Sequence, residues 1–222
     1  MNAKGGLGMV KIERGNVRGY KEMDVPFQLI KAAENTKSLA ILLPGAGYTT
    51  SAPLFHFSTE VLLNRSFDVL EVNYQYKEAA YDEFSMEELS IAIKQDVKTV
   101  LDVVLADSPY EEFYIIGKSL GTIAMSTELK RTVFKRAKAI WLTPLLQRED
   151  VYFAMAKSHH TGLSIIGDKD HFYNEELYAQ LENNPNITFK VIAGVDHSFE
   201  FEGDALKSID ALKEAITEIQ NF

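Results

Sequence analysis

Cysteine is absent from the 222 residues. That single absence removes disulfides, thiolate metal sites and cysteine nucleophiles together. An excess of basic charge is missing too: 23 Lys and Arg stand against 32 Asp and Glu, for a formal charge of −9 and a pI near 5.1. Such a balance argues against a nucleic-acid surface or an anionic membrane as the partner, since both need clustered cations. No stretch reaches the apolar length that spans a bilayer, and the opening MNAKGGLGMVKIERG lacks the apolar core of a secretory signal. The expected location is cytoplasmic. Repeats, low-complexity runs and linkers are lacking as well, so the expectation is one domain over residues 9–222 behind a flexible leader, residues 1–8. Gly5-Gly6-Leu7-Gly8 belongs to that leader, because no preceding strand could aim it at a phosphate.

What is present suits a single large core: 46% of the residues are hydrophobic. Two strand candidates with alternating charge, Val10 to Arg14 and Val25 to Ile30, read as antiparallel and peripheral. Leu39 to Leu43 is a continuous apolar run of the kind buried on both faces of a parallel sheet, ended by Pro44-Gly45-Ala46-Gly47-Tyr48. A helix from Pro53 to about Asn64, a strand Phe67 to Val72 and an aromatic, acidic loop Tyr74 to Phe84 follow. Leu89, Ile93, Val97, Val100, Leu101 and Val104 recur at helical spacing between Met86 and Ala106. The later alternation comprises strands at Phe113 to Ile116, Ala137 to Leu142, Leu163 to Ile166 and Ile187 to Ile192. Helices are expected through Thr132, over Asp150 to Lys157, near Glu175 to Leu181 and from about Asp204. This pattern predicts an α/β fold, a mostly parallel central sheet with helices on both faces.

The chain is organised around Phe113 to Thr122, FYIIGKSLGT. An apolar strand breaks at Gly117-Lys118-Ser119-Leu120-Gly121 and a helix follows. In a G-x-S-x-G turn between strand and helix, glycine at both flanks permits the close approach that pushes the serine hydroxyl out of the surface, so Ser119 is the candidate nucleophile. The same letters contain Gly-Lys-Ser, but a phosphate-binding P-loop needs a glycine five residues before Gly117, where the chain has Glu112. Alone the pentapeptide is a weak signal. Its weight comes from the loops that follow further strands: Asp168 or Asp170 after one, His197 after another, in the order nucleophile, acid, histidine.

On these residues the chain resembles the α/β-hydrolases, over roughly residues 10 to 222. The matching motifs are the Ser119 elbow, the Pro44-Gly45-Ala46-Gly47 turn, the Gly167-x-x-Asp170 turn and His197 before the last helix. The resemblance implies a serine hydrolase without a cap domain, because only about twenty residues join the strand ending at Leu142 to the next. His197 would act as base and then acid, and Asp170, three residues after the glycine that ends its strand, would orient it. Asp168 reads instead as bonding its own turn, and Asp196 as a turn residue. The same resemblance assigns the oxyanion donors to the backbone amides of Leu120 and Ala46, with Pro44 standing where the family usually has histidine. The implied substrate is a small, accessible carboxylic ester or thioester, with no cofactor and no metal. Its alternative is a non-catalytic hydrolase-fold protein that binds a ligand or partner.

Other residues carry open readings. Lys118 either biases the pocket toward acidic acyl groups or pairs with a nearby carboxylate, the commoner fate of a lysine near a sheet edge. Tyr48, Tyr74 and Tyr76 are placed either along the cleft or in packing. His159 and His160 are adjacent on a loop, which supplies two metal ligands but no third.

Overall fold

The computed structural model describes residues 11–32 and 35–222. Residues 1–8, expected to be a leader, and Val10, the expected start of the first strand, lie outside the described residues. The strands are β1 (Lys11–Arg18), β2 (Asp24–Lys31), β3 (Ser38–Leu43), β4 (Asp68–Val72), β5 (Glu112–Lys118), β6 (Lys138–Leu142), β7 (Gly162–Gly167) and β8 (Ile187–Ile192). The helices are α1 (Pro53–Asn64), α2 (Met86–Leu105), α3 (Gly121–Glu128), α4 (Glu149–Ala156), α5 (Glu175–Leu181) and α6 (Ala205–Asn221). The strands form one sheet in the order β1-β2-β4-β3-β5-β6-β7-β8. β1 and β2 pair antiparallel, as do β2 and β4, and every other pair is parallel.

Alternation within the strands divides the core between two layers. Ile41, Leu43, Ile115 and Trp141 point toward the layer of α2, α3, α4 and α5, where Ile93, Val97, Ile123, Val151 and Leu181 meet them. Ala40, Leu42, Ile116 and Ile140 point the other way, against Leu54, Phe55 and Leu62 of α1 and Ala211, Ala215 and Ile219 of α6. Both faces of β3 and β5 are thereby dry, which is why these strands read as unbroken apolar runs. β1 lies at one end of the sheet with most of its residues exposed, in keeping with its charged alternation. Helix starts follow local chemistry. Pro53 opens α1, Ser85 Oγ accepts from Glu88 N at 3.1 Å at the head of α2, and Asp204 Oδ1 accepts from Lys207 N at 3.1 Å at the head of α6.

One expectation is corrected here, and one open alternative is decided in favour of packing. The helix after Ser119 stops at Glu128 rather than reaching Thr132, and a short 3-10 turn, Thr132–Phe134, follows. Ser126 and Thr127 donate their hydroxyls to the carbonyls of Ile123 and Ala124 at 2.7 and 2.9 Å, bonds that compete with helix continuation. Tyr74 and Tyr76 do not line a cleft. Both are buried in the core, their rings stacked at 4.7 Å, with Tyr76 OH donating to Asp96 Oδ2 at 2.5 Å.

Candidate active site

β5 ends in the turn that carries Ser119, and the backbone there is forced. Ser119 has φ +51°, in the left-handed region that a residue with a Cβ enters at a cost. Two glycines make the turn possible. A Cβ on Gly121 would lie 2.0 Å from the carbonyl oxygen of Leu43, and one on Gly117 would lie 2.3 Å from Met125 Sδ. Ser119 N donates to Leu142 O at 3.0 Å, tying the turn to the end of β6. The hydroxyl emerges half-buried at the carboxyl edge of the sheet.

The loops after β7 and β8 are clasped to each other. A Cβ on Gly167 would meet Val195 O at 1.9 Å, so only glycine lets the two backbones touch. Lys169 N donates to Val195 O at 3.0 Å, and Gly194 N donates to Asp168 Oδ1 at 2.6 Å. Asp168 therefore bonds the neighbouring loop and not its own turn, which corrects the sequence reading. Asp196 behaves as the turn residue expected, its Oδ1 accepting from Ser198 N at 2.8 Å and Glu200 N at 2.9 Å. The clasp sets Asp170 beside His197.

Ser119, His197 and Asp170 form one hydrogen-bonded series. His197 Nε2 lies 2.8 Å from Ser119 Oγ, and His197 Nδ1 lies 2.8 Å from Asp170 Oδ2. The Asp170 side chain is fully buried, and its other oxygen accepts from Phe172 N at 2.8 Å. With both carboxylate oxygens held, the imidazole has one orientation available, Nδ1–H toward Asp170 and the Nε2 lone pair toward the serine. The rings of His171 and Phe172 flank it, 5.0 and 5.1 Å from its centroid. Such a series can withdraw the proton of a hydroxyl that is otherwise a poor nucleophile.

Beside the hydroxyl lies the glycine-rich turn after β3: a Cβ on Gly45 would approach Ser119 Cβ to 3.3 Å. Among the described residues, neither Ala46 N nor Leu120 N donates to another backbone oxygen. Tyr74, inside the core, donates its hydroxyl to Pro44 O and so anchors that turn from beneath. No signal in the sequence distinguished Tyr74 for this role from its aromatic neighbours.

Lys118 was misjudged by both sequence readings. It is 1% exposed, so it cannot face a pocket, and among the described residues it makes no ion pair with a carboxylate. Its ammonium donates to the carbonyl oxygen of His197 at 2.6 Å and to Thr143 Oγ1 at 3.2 Å, and lies 4.4 Å from the centre of the Tyr48 ring. Burial pulls its pKa down from 10.5 to about 8, against the Asp170 and Asp196 carboxylates, which hold it up.

Asp170, His171 and His197 each present a metal-type donor, all within 4.8 Å of one another. Both Asp170 oxygens and both His197 ring nitrogens are already engaged, with His197 Nδ1, Phe172 N and Ser119 Oγ as partners, which leaves His171 as the one ligand of the three with an unengaged ring among the described residues. His159 and His160 line a separate cavity of about 700 Å³ between α3 and α4 with Ser126, Lys130 and Phe153, which none of Ser119, Asp170 and His197 borders.

An eight-stranded, mostly parallel sheet with a serine elbow after β5 and, among the described residues, no cap over its carboxyl edge defines the class as an α/β-hydrolase. Residues 36–222 match the family profile of the alpha/beta hydrolase domain, and the chain belongs to that family. Among solved structures it is similar to a putative alpha/beta hydrolase of unknown function from Agrobacterium tumefaciens, at 21% identity and TM-score 0.72, covering 94% of each chain. It is also similar to an α/β serine hydrolase without a lid from Xanthomonas campestris, at 16% identity and TM-score 0.67, covering 96% of this chain and 97% of that one. A third is a cold-adapted esterase from an Arctic intertidal metagenomic library, at 14% identity and TM-score 0.67, covering 96% and 93%. No curated protein matches the chain significantly. Among the described residues no helix is long and apolar enough to cross a membrane.

Proposed function

We propose that this chain is a serine hydrolase that cleaves carboxylic esters or thioesters of small, accessible substrates, working as one α/β-hydrolase domain over residues 9–222. The observation that carries the reading is the unbroken series Ser119 Oγ, His197 imidazole, Asp170 carboxylate, at 2.8 Å for each step. In the reaction, Ser119 Oγ attacks the substrate carbonyl carbon while His197 Nε2 takes its proton. The oxyanion that forms accepts hydrogen bonds from the amides of Leu120 and Ala46. Collapse of the tetrahedral intermediate expels the alcohol or thiol, which leaves with the proton held by His197. Water, deprotonated by the same imidazole, then releases the acid and restores Ser119. Asp170 accepts from His197 Nδ1 and holds the imidazolium in place.

The short connection between β6 and β7, with no cap over the carboxyl edge among the described residues, supports substrates that reach the serine from open solvent. The esterase name carried by one structural neighbour supports the same chemistry. A fluorophosphonate probe tests the reading: Ser119 is labelled in the wild type, Ser119→Ala is not, and hydrolysis of short-chain p-nitrophenyl esters disappears in His197→Ala. A folded wild type that neither labels nor turns over any ester or thioester in a chain-length series is a binding protein on a hydrolase fold, and the proposal is then wrong.

A further inference from the structure

Lys118 stands one residue before the proposed nucleophile, yet its ammonium reaches across the site to the main chain of the proposed base. Nothing in the hydrolytic cycle uses it. A lysine 1% exposed and, among the described residues, without a carboxylate in ion-pair contact is expensive to keep, because its charge has left water and its direct partners are neutral. Its three N–H directions are nonetheless well spent. One goes to His197 O at 2.6 Å, one to Thr143 Oγ1 at 3.2 Å, and the Tyr48 ring lies 4.4 Å away. Those partners come from three loops at the carboxyl edge, after β8, β6 and β3, while the lysine itself ends β5.

The loop that bears His197 is fastened to the β7 loop by Asp168, Lys169 and Gly167, but those contacts fix it relative to Asp170 and not to Ser119. The remaining distance, imidazole to hydroxyl, is set by how the β8 loop sits against β5. The geometry points to Lys118 as a positioning residue that pins the His197 main chain to the nucleophile's own strand and thereby holds Nε2 at Ser119 Oγ. A charge-assisted bond from an ammonium to a carbonyl is short and roughly twice as strong as a neutral one, which suits a clamp on a loop that must not drift. The groups around the ammonium are the His197 carbonyl, the Thr143 hydroxyl and the Tyr48 and Phe199 rings, the last 5.9 Å away, with the Asp170 and Asp196 carboxylates acting through their charge from further off. The inference rests on the hydrolase reading for its kinetic readouts and on geometry alone for its spectroscopic one.

The test uses Lys118→Met, which keeps the length and packing but no donor, and Lys118→Gln, which keeps an amide donor but no charge, each checked for folding by circular dichroism and thermal melting. In the wild type the His197 Nδ1 proton, held against Asp170, gives a downfield proton NMR signal. In Lys118→Met it broadens or exchanges away. The rate of fluorophosphonate labelling of Ser119 and kcat for a short ester fall by about ten- to a hundredfold, the scale of a small misplacement of a catalytic group, while KM stays within about twofold. Lys118→Gln lies between Met and wild type on both readouts. An unchanged NMR signal and labelling rate in either folded variant overturn the positioning role while leaving the hydrolase reading intact. If instead the wild type never labels, the hydrolase reading fails, and the NMR comparison alone decides the role of Lys118. Should neither variant fold, Thr143→Val with normal labelling and an unaltered Nδ1 signal refutes the three-loop clamp.

Discussion

The buried ammonium of Lys118 should leave a signature in the alkaline stability of the protein. Its pKa falls from 10.5 in the unfolded chain to about 8 in the fold, with burial the dominant cause. Between those limits the unfolded chain binds a proton that the native state has already lost, so native stability rises as pH increases through the window from 8 to 10.5. At neutral pH the buried charge costs the native state about 3 kcal/mol, taking 1.36 kcal/mol for each pH unit between the two values. Lys118→Met removes that cost but strips donors from His197 O and Thr143 Oγ1, which is worth about 1–3 kcal/mol in the opposite sense. At pH 7 the two effects nearly offset, and the net change is a poor test.

The slope is a good one. Lysines and tyrosines elsewhere titrate alike in both proteins and cancel in the difference. The stability of the wild type relative to Lys118→Met should therefore climb by about 3 kcal/mol from pH 7 to above 10.5. Urea unfolding of both proteins at intervals across that range measures it. A difference that stays flat with pH would mean that the ammonium is not desolvated, and the reasoning from its burial would be wrong.

Other expectations are quicker to check. Asp170→Asn keeps the shape of the site but releases the imidazole tautomer, so kcat should fall by about 10³- to 10⁴-fold with little change in KM, read from steady-state ester hydrolysis. Gly121→Ala brings a Cβ to 2.0 Å from the Leu43 carbonyl, where neither backbone can yield cheaply. A loss of about 3 kcal/mol or more, or no soluble protein, is expected from denaturant melts. Tyr74→Phe leaves Pro44 O without its donor and should cost about 1 kcal/mol of stability together with a slower labelling rate at Ser119, since the glycine-rich turn loses its anchor.

The sheet was readable wherever the physics is local. β3 and β5 announce themselves as apolar runs because both their faces are covered, and α5 and β8 begin and end where the sequence suggests. Strand-end placement put Ser119, Asp168 or Asp170, and His197 on one edge and left the acid open; the family resemblance singled out Asp170, which lies 2.8 Å from His197. What escaped depends on partners distant in the chain. Lys118 was read as facing the pocket or pairing with a carboxylate because no local pattern records a carbonyl 79 residues away. Asp168 looked like a turn residue because its acceptor role is toward Gly194, on another loop. Tyr74 and Tyr76 lie in a polar, acidic stretch that reads as a surface loop, yet their rings fold back into the core and find Pro44 O and Asp96 for their hydroxyls. The shortening of α3 has a local cause instead, the hydroxyl bonds of Ser126 and Thr127 to carbonyls three residues back, which propensity underweights.

The contact between Gly167 and Val195, with the bonds from Lys169 and Gly194 around it, makes the acid and the imidazole parts of a single rigid body. Heat or mild denaturant should then separate that body from the β5 turn before it pulls the body apart. Inactivation would begin as a widening gap at the hydroxyl, with the imidazole still firmly seated on its carboxylate.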